Sequence, residues 1–352
     1  MRCIISTFTA LIIPAALFAQ APSDTPSIKV GATVFADFTY TNDPLTVDAD
    51  SNRVHLTQFN VSRAYINVTG NISRWLTFRI TPDIVRETGT GTSLNGSLDF
   101  RLKYAYAQVV LESWSKGAWI RLGIQQTPWV DFEENVYRYR FQGATFADRE
   151  GFISSSDAGA SFHYNLPSSY GDIHIGVYNG ETYTRPETND QKAFQGRVSL
   201  RPFAASKTAL KGIRASGFFD FDHYVRNAPR NRFIGALTFE HPRLNAGVQM
   251  LSTSDQTTSR ATEVNGRGFS AWVTPRTAKG WEALLRVDRL KPNTSNDAQR
   301  RNRNIFGVAY WLPHMGNVSA AFMLDYDHVE FNGFTPAQPT QNRISLHSLV
   351  NF

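Results

Sequence analysis

The stretch Ile28-Lys29-Val30-Gly31-Ala32-Thr33-Val34-Phe35-Ala36-Asp37-Phe38-Thr39-Tyr40 decides the fold. Ile28, Val30, Ala32, Val34, Ala36, Phe38 and Tyr40 share one parity, while Lys29, Thr33, Asp37 and Thr39 hold most of the other. Side chains of a strand point alternately to opposite faces, so one face of this segment suits hydrocarbon and the other suits water. The alternation returns near 58–69, 75–86, 99–112, 118–125, 157–166, 172–180 and 193–203. It continues near 211–224, 232–241, 244–252, 265–275, 280–290, 303–312, 317–329 and 342–352. No apolar stripe at helical spacing stands out, and the chain reads as all-β with about 16 strands.

The last of these segments carries the same signal to the C-terminus. Ile344, Leu346, Val350 and the terminal Phe352 share a face, and Arg343, Ser345, His347 and Asn351 share the other. Tight connections are expected around Gly70-Asn71, Pro167 to Gly171, His241-Pro242, Pro275 to Gly280 and Pro313 to Asn317. Long ones are expected at 41–57, 87–98, 126–156, 181–192, 253–264, 291–302 and 330–341. Short turns on one rim and long polar loops on the other are the pattern of a transmembrane antiparallel β-barrel of the outer membrane. Tyr40, Trp75, Trp281 and Trp311, near strand ends, suit the aromatic girdles of such a barrel.

Composition agrees. With 25 Phe, 13 Tyr and 7 Trp among 352 residues the chain is too aromatic to be disordered. A single Cys builds neither a disulfide framework nor a paired-cysteine metal site, and no motif calls for a cofactor. The mean hydropathy of -0.32 argues against a bundle of membrane helices but suits a barrel whose faces alternate. The net charge is only +6 and no block of five like charges occurs, so no nucleic-acid partner is expected. Arg300, Arg301 and Arg303 read as a solvated loop.

At the start, Arg2 precedes Ile4, Ile5, Phe8, Leu11, Ile12, Ile13, Leu17 and Phe18, the layout of a secretory signal. Cleavage is expected after Ala19, with Ala21 as the alternative. The expected organisation is a cleaved signal peptide over 1–19, a short lead over 20–27 and a barrel over 28–352, exported to the bacterial outer membrane.

About sixteen strands leave an aqueous channel, whereas about eight can be plugged by their own side chains. With the apolar parity outward, Arg63, Arg79, Arg121, Arg197, Arg214 and Arg286 point inward, as do His163 and His347. The same parity sends Asp37, Asp220, Asp222, Glu282, Asp288, Asp325 and Asp327 inward. Rings of arginine select anions and rings of carboxylate select cations; opposite signs on opposite walls would set a transverse field across the lumen.

The connection 126–156 holds Trp129, Phe132, Tyr137, Tyr139, Phe141, Phe146 and Phe152, too much aromatic surface for a free exterior loop. Folded into the barrel, it would bury those rings and bring Arg138, Arg140, Arg149, Asp131, Glu133 and Glu134 to the narrowest point; the alternative is a lid over the mouth.

Around this loop the sequence resembles the phosphate-selective porin O/P-like family of bacterial outer membranes. The resemblance covers about 100–165 and rests on Tyr104-Ala105-Tyr106-Ala107-Gln108, then Ile120-Arg121-Leu122-Gly123-Ile124-Gln125 with Thr127-Pro128, then Asp148-Arg149-Glu150 and Asp157-Ala158-Gly159. It implies a sixteen-stranded, trimeric porin with an inward-folded constriction loop. The family's specific phosphate channels place lysines at the constriction, and none of the eight lysines here lies within 126–156. The expected function is therefore passive diffusion of small hydrophilic solutes with a weak preference for anions, phosphate among them. The expected partners are outer-membrane lipid and two further copies of the chain.

Rival readings leave fainter marks. A rim hydrolase would need a nucleophile and base in reach of each other, and His163, His174 and His347 have only common lumen serines such as Ser161, Ser345 and Ser348 near them in sequence. Gly89-Thr90-Gly91 is a weak phosphate-cradle signal with no helix after it. A non-conducting adhesive barrel would call for a plug or extra domain. A sugar channel would use inward aromatics such as Tyr178, Phe218 and Trp272 as a stacking track.

Overall fold

In hydrocarbon every backbone N–H and C=O needs an internal partner, and a sheet meets that demand only by closing on itself. The computed structural model describes residues 25–87, 93, 95–314 and 316–352, and in it the sheet closes. The segments read as a signal peptide (1–19) and as a phosphate cradle (89–91) lie outside the described residues. The first eight strands are β1 (Ser27–Val47), β2 (Arg53–Ser73), β3 (Leu76–Arg86), β4 (Leu98–Val110), β5 (Trp119–Gln126), β6 (Ser156–Asn165), β7 (Gly171–Tyr178) and β8 (Ala193–Leu200). The second eight are β9 (Ile213–Val225), β10 (Ala228–His241), β11 (Leu244–Asp255), β12 (Val264–Pro275), β13 (Trp281–Lys291), β14 (Arg300–Trp311), β15 (Ser319–Asn332) and β16 (Gln341–Asn351). Each pairs antiparallel with its sequence neighbours, and β1 pairs with β16. Two short helices, α1 (Pro128–Tyr137) and α2 (Phe146–Arg149), interrupt the chain between β5 and β6.

The outer face is the expected apolar belt. Along β13, Trp281 and Leu285 are exposed while Glu282, Leu284, Arg286, Asp288 and Leu290 are buried on the inner side. Along β16, Ile344, Leu346 and Val350 face out and Ser345, His347 and Leu349 face in. No helix among the described residues is long and apolar enough to cross a membrane; the strands do the crossing. Closed strands with an apolar exterior make this a bacterial outer-membrane barrel.

Several sequence expectations need correction. The connection expected at 41–57 is only the turn 48–52, because β1 and β2 run on for 21 residues each, roughly 70 Å of strand. Asp48 holds that turn by accepting from the backbone N–H groups of Asp50 and Asn52, both at 2.9 Å. The turn expected at Gly70-Asn71 lies at Arg74-Trp75, where Ser73 faces Leu76. Residues 226–227 join β9 to β10 on the long-loop rim with only two residues. Arg300, Arg301 and Arg303 belong to strand β14 rather than to a loop. Trp311 faces inward against Phe141 and Tyr139, so it is no part of a girdle, whereas Trp75 and Trp281 are exposed on the outer face as expected.

A charge on the outer face must cost more than one on the inner face. Leu285→Arg, on the outward face of β13, is expected to lower the folding free energy by roughly 2–4 kcal/mol. Thr39→Arg, which points into the lumen, should cost under about 1 kcal/mol. Denaturant titration of both variants in lipid vesicles checks this; equal losses would remove the inside–outside assignment.

Candidate functional site

The connection between β5 and β6 folds into the lumen rather than over the mouth. Thr127 ends the strand in an extended conformation, and Pro128 occupies the first turn of α1, where its fixed φ is already helical. Trp129, Phe132, Glu133, Val136 and Tyr137 are then buried at three- and four-residue spacing, a helical stripe that the period-two reading missed. Arg138 closes α1 in the left-handed conformation, with φ 69° and its N–H bonded to the Glu134 carbonyl at 2.9 Å.

The buried face of the loop lies against the inner wall from β8 through β15. Trp129 meets Phe218 of β9, Tyr137 meets Trp272 of β12, and Tyr139 and Phe141 meet Trp311 of β14. Phe146 rests over Gly268 of β12, where an added Cβ would lie 2.5 Å from its ring, so only glycine leaves that seat open. Phe218 and Trp272 are thus buried under the loop, Tyr178 of β7 is buried as well, and none of the three offers a stacking track to a solute.

Polar wall residues hold the loop's carbonyls and side chains. Arg197 Nε donates to the Pro128 carbonyl at 2.8 Å, Asn245 Nδ2 to the Val136 carbonyl at 2.9 Å, Arg286 Nη1 to the Ala144 carbonyl at 3.1 Å and Arg232 Nε to the Phe152 carbonyl at 3.0 Å. Tyr139 Oη donates to Glu282 at 2.8 Å, Gln142 Nε2 to Asp325 at 2.7 Å, and Arg301 binds Glu150.

This corrects part of the expected pore lining. Arg197 and Arg286 do point inward, but the loop covers them, and Glu133 turns from α1 toward Gln249 of the wall; all three are buried. Arg286 is held by Asp288 at 2.8 Å and Arg197 by Asp172, as a guanidinium removed from water requires. Arg214, 3.1 Å from Glu240 and 5.2 Å from the Phe132 ring, also belongs to this loop-holding side. Arg138 bridges to Glu282 at 3.4 Å and lies over Trp311, and Arg149 donates to Gln142 and the Ala144 carbonyl.

On the opposite wall, β2 to β5, Arg63, Arg79, Arg101 and Arg121 stay partly open to water, while Asp83, Lys103 and Tyr104 are buried. Arg63 bonds Asp83 at 2.6 Å, and Arg101 bonds the same carboxylate at 3.1 Å. Arg79 lies 4.6 Å over Tyr104, and Arg121 lies 3.8 Å over Trp119 and 4.6 Å over Tyr106. Arg79 and Arg121 donate to neutral partners, Asn67 and Thr81 for the first and Gln108 and Gln126 for the second, so their charge is not cancelled locally. Facing this wall, the loop presents Asp131 and Glu134 on the open side of α1, with Arg140 joining Glu134 at 2.6 Å and Asp148 at 3.9 Å. Glu134 lies within electrostatic reach of Lys103, and Asp148 within reach of both Lys103 and Arg63. Acidic groups of the loop and basic groups of this wall therefore lie near one another, with Arg140 between the loop's own carboxylates.

Sequence reading missed Lys103 and Arg101. A register shift between Thr81 and Pro82 brings Arg101, Lys103 and Tyr104 all to the inner side of β4, so simple parity fails there. Lys103 is buried there, and its Nζ donates to Tyr65 Oη at 3.2 Å. Arg230 was missed because β10 starts at Ala228, earlier than the alternation over 232–241 suggests; Arg232, at the edge of that segment, was not singled out. Beyond the loop, a cavity of about 630 Å³ lined by Asp37, Thr39, Arg63, Arg140, Asp325 and Arg343 opens toward the long-loop rim. Among the described residues no group of side chains suits a metal ion, and no serine hydroxyl bonds a histidine ring: Ser161 donates to Gln125, His163 meets Gly117 and Asp172, and His347 meets Asp325.

No family model matches the chain, and no curated protein sequence does. Solved structures do match its fold. The anion-selective porin from Comamonas acidovorans shares 10% identity, with 93% of this chain and 100% of that chain covered and a TM-score of 0.64. OmpT, an outer-membrane protein of Vibrio cholerae, shares 12% identity over 94% of this chain and 99% of its own, with a TM-score of 0.62. The outer-membrane channel DcaP of Acinetobacter baumannii shares 10% identity over 93% and 97%, with a TM-score of 0.58. At these identities the likeness is one of fold.

Burial pushes the Glu133 carboxyl up to about 7, against the pull of Arg286 and of its donors Thr145, Gln249 and Trp129. A carboxyl raised in the docked state favours docking fully below its ordinary value and loses that contribution as pH rises through 7. The thermal midpoint of the wild type should thus fall, relative to Glu133→Gln, between about pH 4.5 and 7 and run parallel to it above that window. A constant offset from pH 4 to 9 would contradict the burial of this group.

Proposed function

We propose that the chain is a passive outer-membrane channel for small hydrophilic solutes, with a weak preference for anions. The observation that carries this reading is the division of the lumen. One side is filled by the docked loop, and the other is an opening walled by the partly exposed Arg63, Arg79, Arg101 and Arg121. Such a wall supplies fixed positive potential where a solute must shed part of its water, while Asp131 and Glu134 opposite temper it. The field between the two sides orders water and disfavours bulky apolar solutes.

Stacking on Tyr104, Tyr106 and Trp119 and bonds to amides hold Arg79 and Arg121 without a carboxylate, which leaves Nη1 of Arg79 and Nη2 of Arg121 for a passing anion. Phosphate fits the guanidinium fork, and the resemblance around 100–165 points the same way. Export by the signal peptide over 1–19 and assembly as a homotrimer complete the proposal.

Planar-bilayer recording of the refolded mature protein under a salt gradient is expected to give stepwise conductance and a reversal potential displaced toward the anion value. The double variant Arg79→Glu, Arg121→Glu should move it toward cation preference, and added phosphate should reduce chloride current in the wild type more than in the variant. A folded wild type without steps would overturn the channel reading. An unchanged reversal potential in the variant would overturn the role of this wall.

A further inference from the structure

We infer that the outer face of β9 to β12 carries a binding site for a phosphate-bearing acyl lipid, its chain in an apolar groove and its headgroup on Arg267 and Arg289. The groove holds about 760 Å³ of open space. Its floor is the directly paired Gly217 of β9 and Gly235 of β10, and an added Cβ at either would meet nothing within 4 Å. Phe219, Phe221 and Phe233 form one rim in a run of ring contacts at 5.2 and 5.3 Å, and the exposed Met250 forms the other. All of these face outward in the apolar belt, where only hydrocarbon is available to fill such a depression.

Arg267 closes the end of the groove nearest the long-loop rim. It is exposed, and among the described residues it makes no hydrogen bond or ion pair. Arg289 stands on the neighbouring strand beside Phe269, two pairs below the match of Arg267 with Lys291. Its guanidinium donates to the carbonyls of Asp288 and Arg303 and to Asn304, and to no carboxylate. From β8 through β13 no Asp or Glu occupies an outward position, and Asp297 nearby is taken by Lys291, the residue paired with Arg267. The planar guanidinium matches a phosphate in a way that a zwitterionic headgroup satisfies poorly.

The test uses the refolded mature chain in detergent micelles, titrated with dioleoyl phosphatidic acid or dioleoyl phosphatidylcholine and read by native mass spectrometry. Wild type is expected to retain phosphatidic acid at least about tenfold more tightly. The Arg267→Gln, Arg289→Gln double variant should lose most of that preference, and Gly235→Leu should weaken retention of both lipids by filling the floor. Heat-modifiable migration and single-channel conductance report folding and channel activity separately, so the lipid site can fail while the channel stands. Equal retention of the two lipids by wild type, displacement by equimolar inorganic phosphate, or a preference unchanged in the double variant would overturn the site. Loss of oligomers in Gly235→Leu with lipid retention intact would assign the groove to a second copy instead.

Discussion

The hydrogen-bonded seam between β1 and β16 is the constraint on which the rest of this structure depends. It runs from Thr33 opposite Asn351 to Asp43 opposite Asn342, and Ala32 and Phe352 exchange backbone hydrogen bonds at 3.0 and 3.1 Å just beyond it. Without it two edges would be left unpaired in hydrocarbon, where each orphaned amide costs several kcal/mol. Once the seam is made, sixteen strands enclose more space than their own side chains can fill. The interior must then be occupied by water, by a folded segment, or by both.

Both solutions are present, and they divide the arginines. Where the loop covers the wall, the guanidinium groups of Arg197, Arg232 and Arg286 leave water and are repaid by carboxylates and by loop carbonyls that would otherwise lack donors. On the uncovered wall Arg79 and Arg121 remain hydrated and need only aromatic faces and amides to position them. The same residue type is structural on one side of the barrel and faces the solute path on the other. Burial by a single loop decides which.

That loop also shows how local and distant constraints combine. Trp129, Phe132 and Val136 favour a helix because their spacing gathers them on one face. They stay helical inside a barrel because Phe218, Gln249 and Trp272 offer a complementary wall. Gly268 completes the fit by leaving room for Phe146. The acidic residues Asp131 and Glu134 end up toward the opening as the remainder of that helix, not through contacts of their own with the wall.

The sequence alone determined the barrel: strand alternation is a local property with period two, and Ile28 to Tyr40 or Arg343 to Phe352 declare their faces without knowing their neighbours. It also determined that the loop 126–156 had to bury its aromatic rings. Only the tertiary structure decided the parity beyond the register shifts at Phe35/Ala36 and Thr81/Pro82, the length of β1 and β2, and the inward placement of Trp311. A one-residue shift in pairing moves Lys103 to the lumen, and nothing in the flanking residues announces it. Which inward arginines meet water was likewise beyond local reading, since Arg121 and Arg286 sit in equally clean alternations and differ only in whether a segment more than a hundred residues away in the case of Arg286 lies over them. Covering a side chain is a long-range event, and a short-range pattern cannot record it.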